Sequence, residues 1–333
     1  MNYLDQYLKR RIIMMTNLND IENEITIEEV NSELAVCTTA SEYREIMLQV
    51  LQKKTLAGAA EDFHNLAVEL SRKSLYELAC RVLELGLNIK QYSTDVDLLA
   101  DFLVYGIKCG KESQCEKYFE LLSKIPKRRW KWRAFDFAVD YLQQKAERIL
   151  DDDELDKAVE SMLEIAKSYR HYFPRSEGGY VVESQIYRFV NDFDKEEQIL
   201  KEAVTNIKRA PQSSLRLADN AFARGEYEQS RSYLQSAKMS GFERQSRINM
   251  CYVYYLDVMC QISILQSKEI SENEINELYS LFAEAEMLMS SENSSDLLAV
   301  IEQQIHLFEK RTGYRYDSNN YEGNKDFTDI NLD

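Results

Sequence analysis

The chain has 333 residues and a formal net charge of −16, from 41 lysines and arginines against 57 aspartates and glutamates. Such an acidic chain repels nucleic acid at long range, so nucleic acid is not the expected partner. Only ten glycines and three prolines occur, which is too few for the many tight turns of a sheet protein. Composition therefore excludes a disordered chain and favours an all-α fold.

Residues 1–56 are predicted to form an N-terminal segment that is acidic and then helical. The apolar run "IIMM" is bracketed by "KRR" and "TNLND", so this segment lacks the apolar core of a signal peptide. Six cysteines occur without a CxxC pair, which favours reduced thiols. We therefore expect a cytoplasmic protein.

Residues 57–245 carry a pattern that returns at the spacing of a helical hairpin. After a turn predicted at Gly225, three residues of small, bulky and small size share one helix face, namely Ser230, Leu234 and Ala237. The same triplet recurs upstream at gaps of 34 to 43 residues, as Ala79, Leu83 and Gly86; Cys115, Phe119 and Leu122; Ala158, Met162 and Ile165; and Glu196, Leu200 and Ala203. This periodicity predicts stacked helical hairpins.

The pattern resembles that of the tetratricopeptide repeat family. Residues 214–237 match best, followed by 63–86 and 99–122, and the match is loose over 130–170 and 180–208. The resemblance implies an all-α fold, namely a right-handed superhelix of stacked helical hairpins. It also implies a concave face, lined by the first helix of each hairpin, that binds a peptide or another protein.

Residues 124–133, "KIPKRRWKWR", hold six cations and both tryptophans of the chain. In one interpretation a new helix begins near the tryptophans, whose rings pack between repeats while the cations lie over apolar surface. In the other, the patch binds an acidic segment of a partner or of the chain's own tail. The candidate partner-binding residues of this patch are Lys127, Arg128, Arg129, Trp130, Lys131, Trp132 and Arg133.

Residues 246–313 are predicted to form capping helices at the end of the repeats. Three helices are expected, at about 244–266, 272–289 and 294–312, and the second begins with the cap signal "SENE". Terminal repeats differ from internal ones because one of their faces meets water.

The longest apolar run of the chain lies at 248–265, but Asn249 and Asp257 interrupt it. We therefore interpret it as a buried helix and expect no membrane association. Residues 314–333 are aperiodic and rich in Asn and Asp, which predicts a flexible acidic tail.

No motif for catalysis, cofactor binding or metal binding was found. The three histidines, His64, His171 and His306, lie far apart without a partner at metal-ligand or general-base spacing. The pair Gly178–Gly179 lacks the lysine and hydroxyl residue of a phosphate-binding loop. The acidic run at 151–154 is interpreted as a helix cap. We therefore expect no catalytic residue, cofactor or metal.

These observations predict a non-catalytic scaffold or adaptor that binds a protein or peptide through the concave face. The candidate groove residues on the first helices are His64, Asn65, Arg188, Arg216 and Asp219. The alternative is a regulatory subunit that inhibits a separately encoded enzyme or responds to a small peptide.

Overall fold

The computed structural model describes residues 24–240, 247–266, 269–292 and 294–316. The chain divides into two compact units, Met1–Ile149 (unit 1) and Leu150–Asp333 (unit 2). The described residues form fifteen α-helices and two three-residue strands. The predicted all-α class of helical hairpins is thereby confirmed. The domain boundaries after residues 56, 245 and 313 stay predictions.

Unit 1 is built from hairpins whose first helices pack beside one another. Two short strands, β1 (Glu24–Thr26) and β2 (Thr55–Ala57), pair in parallel at its start, a feature that the sequence did not predict. The helices are α1 (Ile27–Leu34), α2 (Ala40–Lys53), α3 (Ala60–Arg72), α4 (Tyr76–Asn88), α5 (Val96–Lys108), α6 (Glu112–Lys124) and α7 (Trp132–Ala146). The first helices α1, α3, α5 and α7 are in contact in that order.

Unit 2 begins with a long helix and continues with further hairpins. Its helices are α8 (Asp152–Tyr172), α9 (Gly178–Phe189), α10 (Phe193–Asn206), α11 (Pro211–Ala223), α12 (Tyr227–Ser240), α13 (Arg247–Gln266), α14 (Glu272–Ser291) and α15 (Ser295–Thr312). Here α9, α11 and α13 are the first helices, and neighbouring ones are in contact.

Four hairpins turn through the same backbone motif. A residue with positive φ follows the first helix in each case: Ser74 (60°), Gly110 (74°), Asn191 (59°) and Gly225 (76°). The next amide closes a Schellman turn, as in Leu75 N to Leu70 O, Lys111 N to Gly106 O, Asp192 N to Tyr187 O and Glu226 N to Ala221 O. The turn predicted at Gly225 is confirmed, and Gly110 forms an equivalent turn. Glycine adopts this conformation without steric cost.

The bulky middle residues of the repeated triplets lie in the core. Leu83, Leu200 and Leu234 are fully buried, and Phe119 is half-buried with its ring 5.0 Å from that of Tyr141. Small flanking residues let the helices approach. A Cβ added at Gly86 would lie 3.0 to 3.1 Å from side-chain atoms of Phe63 and Leu98, so no larger residue fits there without displacing them.

Helix caps lie where the sequence predicts them. The Asp151 carboxylate accepts a hydrogen bond of 3.0 Å from Glu154 N at the start of α8. Ser271 and Glu274 form a reciprocal capping box at the start of α14. Both caps satisfy amides that have no partner inside the helix.

The three predicted C-terminal helices are present as α13, α14 and α15, and their apolar side chains share one core. Asp257, which interrupts the apolar run of α13, is buried and accepts hydrogen bonds of 2.7 Å from Arg231 and from Lys238. No helix among the described residues is long and apolar enough to cross a membrane. The predicted tail lies outside the described residues except at 314–316, where Tyr316 packs on Phe282.

Candidate binding surfaces on the first helices

Side chains on successive first helices are joined by hydrogen bonds at nearly constant sequence separation. The separations are 32 to 34 residues, which matches the 34-residue period of helical hairpin repeats. The pairs are Ser71 with Tyr105, Asp101 with Arg133, Ser184 with Arg216, Arg188 with Asn220, and Asp219 with Tyr252. These side chains connect the layer of first helices within each unit.

In unit 1 a buried carboxylate ties three first helices together. The Asp101 side chain on α5 is 1% exposed, and its Oδ1 accepts a hydrogen bond of 3.0 Å from Arg133 of α7. Its Oδ2 lies 2.6 Å from His64 Nδ1 on α3. A buried carboxylate is tolerated when cations and donors compensate it, so these three residues, which we call the Asp101 cluster, hold the hairpins of unit 1 in register.

His64 has no partner at general-base spacing in the sequence, but the fold brings a carboxylate beside it. Its carboxylate partner, Asp101, lies one repeat away in sequence and is brought near only when α3 packs on α5. His64 Nε2 lies 3.5 Å from the guanidinium of Arg133, so both ring nitrogens face members of the Asp101 cluster.

Most of the cations in the candidate basic patch at 124–133 contact other residues of unit 1. Lys131 donates a hydrogen bond to Asp97 of α5, just as Arg133 donates to Asp101. The Lys127 ammonium lies 3.3 Å from the centre of the Trp130 ring. Three of the cations that the sequence proposes for a partner therefore have acceptors or a ring within unit 1.

The two tryptophans of the patch have different environments. Trp130 is 3% exposed, its ring lies 5.1 Å from that of Phe135, and its Nε1 donates to Ile125 O at 3.2 Å. Trp132, the first residue of α7, is 53% exposed. Trp130 is thus a core residue, as the packing interpretation predicts, and cannot offer its ring to a partner. Arg128, Arg129 and the α3 residue Asn65 are exposed.

Two carboxylates on α7 lack the compensation that Asp101 has. Within the part of the chain that the structure describes, Asp136 and Asp140 make no hydrogen bond or ion pair. Burial, followed by the charge of Asp140, raises the pKa of Asp136 to about 7 although Arg133 opposes the shift. Asp140 is itself exposed, so the cost falls on the half-buried Asp136. Ionisation of Asp136 at neutral pH therefore costs unit 1 stability.

In unit 2, Arg188 connects three helices. Its Nε donates to Glu196 of α10 at 2.8 Å, and its Nη2 donates to Asn220 of α11 at 2.5 Å. Glu196 is fully buried and occupies a triplet position where a small residue is usual, so it depends on this pairing. The Arg188 side chain itself is 41% exposed, which leaves part of the guanidinium open to solvent.

Arg216, on α11, is the opposite case. Among the described residues it has no carboxylate within ion-pair distance, and its only polar contact is a 3.5 Å hydrogen bond to Ser184. The nearby carboxylate of Glu177 instead accepts hydrogen bonds from the backbone of Gln212 and Ser213. Burial, followed by the charge of Arg188, lowers the pKa of Arg216, while the carboxylates of Glu196, Asp219 and Glu177 oppose the shift from a distance. Arg216 is therefore a half-buried cation without a direct ion pair among the described residues.

The third predicted groove residue of unit 2 completes this surface. Asp219 accepts a hydrogen bond of 2.8 Å from Tyr252 of α13. Burial, followed by this hydrogen bond, raises the pKa of Tyr252. We define the Arg216 face as Ser184, Arg188, Arg216, Asp219, Asn220 and Tyr252. It contains all three groove residues that the sequence predicts in unit 2.

Several residues of these surfaces were missed by the sequence analysis. Asp101, Asp97 and Asp136 carry no local motif, and Glu196 was seen only as an irregular triplet member. The signal that could have found Asp101 and Asp97 is the repeat period itself, because each lies about one repeat before its cation. The structure brings His64 and Arg133 together in one cluster, whereas Asn65 makes no side-chain hydrogen bond within the described part of the chain.

Beyond the first helices, the described residues form no further candidate site for a ligand or a metal. A shallow depression of about 640 Å³ is lined only by polar side chains of α10, between Asp194 and Asn206, and thus is not formed by the first helices. Among the described residues, no group of three or more His, Cys, Asp or Glu side chains is arranged to hold a metal ion.

No family model and no curated protein matches the sequence. Solved structures do. A signal transduction ATPase with numerous domains and a tetratricopeptide repeat sensor, from Pyrococcus horikoshii, gives a TM-score of 0.53 at 12% identity, over 87% of this chain and 43% of its own. A tetratricopeptide repeat protein from Parabacteroides merdae gives a TM-score of 0.48 at 11% identity, and the match covers 83% of this chain and 97% of that protein. A thermophilic TPR protein from Thermus thermophilus gives a TM-score of 0.45 at 17% identity, and the match covers 62% of this chain and 100% of that protein. The described residues therefore have the helical-repeat fold of tetratricopeptide repeat proteins, which confirms the resemblance seen in the sequence.

Proposed function

We propose that this chain is a non-catalytic scaffold that binds a protein or peptide, and that the Arg216 face of unit 2 receives an acidic group of that partner. The observation that carries the proposal is the half-buried guanidinium of Arg216 on a first helix, which has no direct ion pair among the described residues. A half-buried cation without an ion pair destabilises the free protein, and a bound anion would remove that cost.

The chemistry of the face favours a carboxylate. Arg216 and the exposed part of Arg188 belong to successive first helices, and a guanidinium binds a carboxylate through two parallel hydrogen bonds. The amide of Asn220 lies beside these cations and can pair with a further polar group, whereas the hydroxyl of Ser184 is buried and donates to Val181 O. An Asp or Glu side chain, or a terminal carboxylate, fits this set of donors.

The surface suits a polypeptide because first helices present side chains at regular intervals. Residues at equivalent positions of successive hairpins line one face, along which an extended peptide or a partner helix can lie. The face also carries Tyr252, whose ring stacks on Tyr255 with centroids 5.7 Å apart. Aromatic and arginine side chains together are typical of the residues that contribute most to binding energy.

Peptide display offers a direct test because it assumes no partner. Random peptides are selected on the immobilised full chain and on the variant Arg216→Met. We expect the parent chain to enrich peptides containing Asp or Glu. The variant should bind the selected peptides about tenfold more weakly or worse, because one charge-assisted hydrogen-bonded pair is lost.

Arg224→Met is the matched control, since it removes the same charge from an exposed arginine at the end of the same helix. Arg224 pairs with Glu197 and Glu226 on the surface, so its loss should leave peptide binding nearly unchanged. An equal loss in both variants would indicate general charge attraction and would overturn the assignment to the Arg216 face. Selection without any acidic enrichment would do the same.

A regulatory role is the second candidate. It is favoured by the similarity in fold to the Pyrococcus horikoshii protein, in which a tetratricopeptide repeat region is described as a sensor. In this case the chain controls a separately encoded enzyme or responds to a small peptide. Purification from the native cell, followed by identification of co-eluting proteins, separates the two: a stoichiometric enzyme whose activity changes on removal of this chain supports regulation.

Cytoplasmic location, the absence of nucleic acid among the partners and the absence of membrane association remain predictions from composition. So does the acidic partner proposed for the patch at 124–133, whose exposed residues are Arg128, Arg129 and Trp132.

A further inference from the structure

Two cysteine side chains of unit 1 are in direct contact. Cys80 lies on α4, Cys109 is the residue that ends α5, and their Sγ atoms are 3.5 Å apart. Cys80 is fully buried, while Cys109 is half-buried. The Cys109 thiol also lies 3.2 Å from the carbonyl oxygen of Tyr105.

The other four cysteines are arranged differently. All six lie in the described part of the chain, and within it no other pair is recorded in sulfur–sulfur contact. Cys115 has its Sγ 3.8 Å from the carbonyl oxygens of Phe102 and Leu103, and Cys251 and Cys260 belong to α13 in unit 2. A disulfide has a sulfur–sulfur distance of about 2.05 Å, so the two sulfurs, now 3.5 Å apart, would have to approach by about 1.5 Å to bond.

We propose that Cys80 and Cys109 form a redox modification site, at which a peroxide converts the two thiols into a disulfide that joins α4 to α5. The proposal concerns unit 1 only and is independent of the Arg216 face. Hydrogen peroxide is the class of oxidant because it is small enough to reach a half-buried thiol.

Cys109 reacts first because it is the more accessible thiol, and burial raises the pKa of Cys80. The Cys109 thiolate attacks one oxygen of the peroxide, the O–O bond breaks, and the departing hydroxide takes up the proton that Cys109 released. This gives a sulfenic acid on Cys109 and one water.

The Cys80 sulfur then attacks the Cys109 sulfur as Cys80 loses its proton. The S–O bond breaks, and hydroxide leaves with that proton as a second water. In sum, two thiols are oxidised by two electrons and one peroxide is reduced to two waters.

The bond would link the second and third hairpins of unit 1 across 29 residues of sequence. A cross-link of this span stabilises a fold mainly by restricting its unfolded chain. The helix α5 that it fixes also carries Asp101, so oxidation would fasten the helix at the centre of the Asp101 cluster.

Thiol counting and peptide mapping test the proposal on the native full chain. The chain is treated with a few equivalents of hydrogen peroxide, quenched and denatured, and its free thiols are then counted. We expect the count to fall by two from six, and digestion to yield a cross-linked peptide containing Cys80 and Cys109. The oxidised chain should show an unfolding temperature raised by about 5 °C for unit 1, reversed by dithiothreitol.

Cys80→Ala and Cys109→Ser should each abolish the cross-link, whereas Cys251→Ala, at a buried cysteine of unit 2, should leave it unchanged. If Cys80→Ala fails to fold, Cys109→Ser at the half-buried position still decides the outcome. An unchanged thiol count in the native chain, or a cross-link joining Cys109 to Cys115, would overturn the proposal.

Discussion

In both units, arginines on first helices contact side chains one repeat earlier, but only in unit 1 is that contact an ion pair. In unit 1, Arg133 donates a hydrogen bond to the buried carboxylate of Asp101, one repeat earlier, and His64 contacts the second oxygen of that carboxylate. In unit 2 the cation Arg216 meets only a serine hydroxyl at the same separation of 32 residues. A charged residue at a first-helix position thus does not by itself identify a binding residue. The deciding quantity is whether the fold compensates its charge.

The largest expected effect is the loss of the Asp101 cluster. Arg133→Met removes the main cation of a buried carboxylate and should lower the free energy of unfolding of unit 1 by about 3 kcal/mol. Urea unfolding followed by tryptophan fluorescence measures this, because both tryptophans lie in unit 1. Lys131→Met is the control, since Lys131 is exposed and its loss should cost less than about 1 kcal/mol. Equal losses of unfolding free energy in the two variants would show that the buried pair contributes no more than the exposed one.

The second effect concerns Asp136 of unit 1, a half-buried carboxylate that, like the Arg216 guanidinium of unit 2, has no direct ion pair among the described residues. The pKa of Asp136 is about 7 in the folded chain and about 4 in an unfolded one, so the folded state holds the proton more tightly. Stability is therefore lost as pH rises from 4 through 7. Asp136→Asn should be more stable than the parent by on the order of 2 kcal/mol at pH 8, and the gain should shrink steadily towards pH 5.

The same fluorescence-detected unfolding, repeated from pH 5 to pH 8, provides the measurement. Glu147→Gln alters an exposed carboxylate just beyond the end of the same helix and should show no such trend. A gain for Asp136→Asn that does not depend on pH would mean that the carboxylate is fully ionised or fully compensated in the folded chain.

The third effect concerns Arg216. Replacing this arginine is expected not to lower the free energy of unfolding, in contrast to replacing Arg133. Arg216→Met should leave unit 2 as stable as before or more stable by about 1 kcal/mol, since a half-buried unpaired cation is replaced by an apolar chain. Arg188→Met should instead destabilise unit 2 by about 3 kcal/mol, because it strands the buried carboxylate of Glu196. Urea unfolding followed by circular dichroism measures both, and a large loss for Arg216→Met would show that the fold does use its charge.

The smallest effect separates the two tryptophans. Trp132→Phe should change the free energy of unfolding by less than about 0.5 kcal/mol, because the ring is exposed. It should also remove most of the fluorescence that acrylamide can quench, leaving the protected signal of Trp130. Strong quenching in that variant would contradict the burial of Trp130.

Much of the fold follows from local sequence signals. The triplets around Leu83, Leu200 and Leu234 predict the core faces because side chains at helical spacing share one surface. Gly110 and Gly225 mark turns because glycine readily adopts positive φ. Asn191 fits the same rule, because asparagine adopts positive φ more readily than most other residues. The equivalent turn at Ser74 carries no such signal, so its conformation is imposed by the hairpin.

The candidate sites were only partly predictable. Arg188, Arg216 and Asp219 could be placed on first helices from the repeat pattern, yet their different compensation depends on Glu196, Ser184 and Tyr252, which lie on other helices. The burial of Trp130 beside an exposed Trp132 is set by a single 3₁₀ turn at Lys127–Arg129, which turns the backbone before α7 begins. Short-range pattern cannot specify such a turn.

The shared Schellman turn has a consequence for how this molecule can change in evolution. In the four hairpins that share this turn, the two helices are joined by a motif of fixed length. The connections between hairpins differ in length, for example between α4 and α5 and between α10 and α11. Insertions and deletions should therefore accumulate between hairpins, and a graft of one hairpin from a relative should be tolerated better than a graft of one helix.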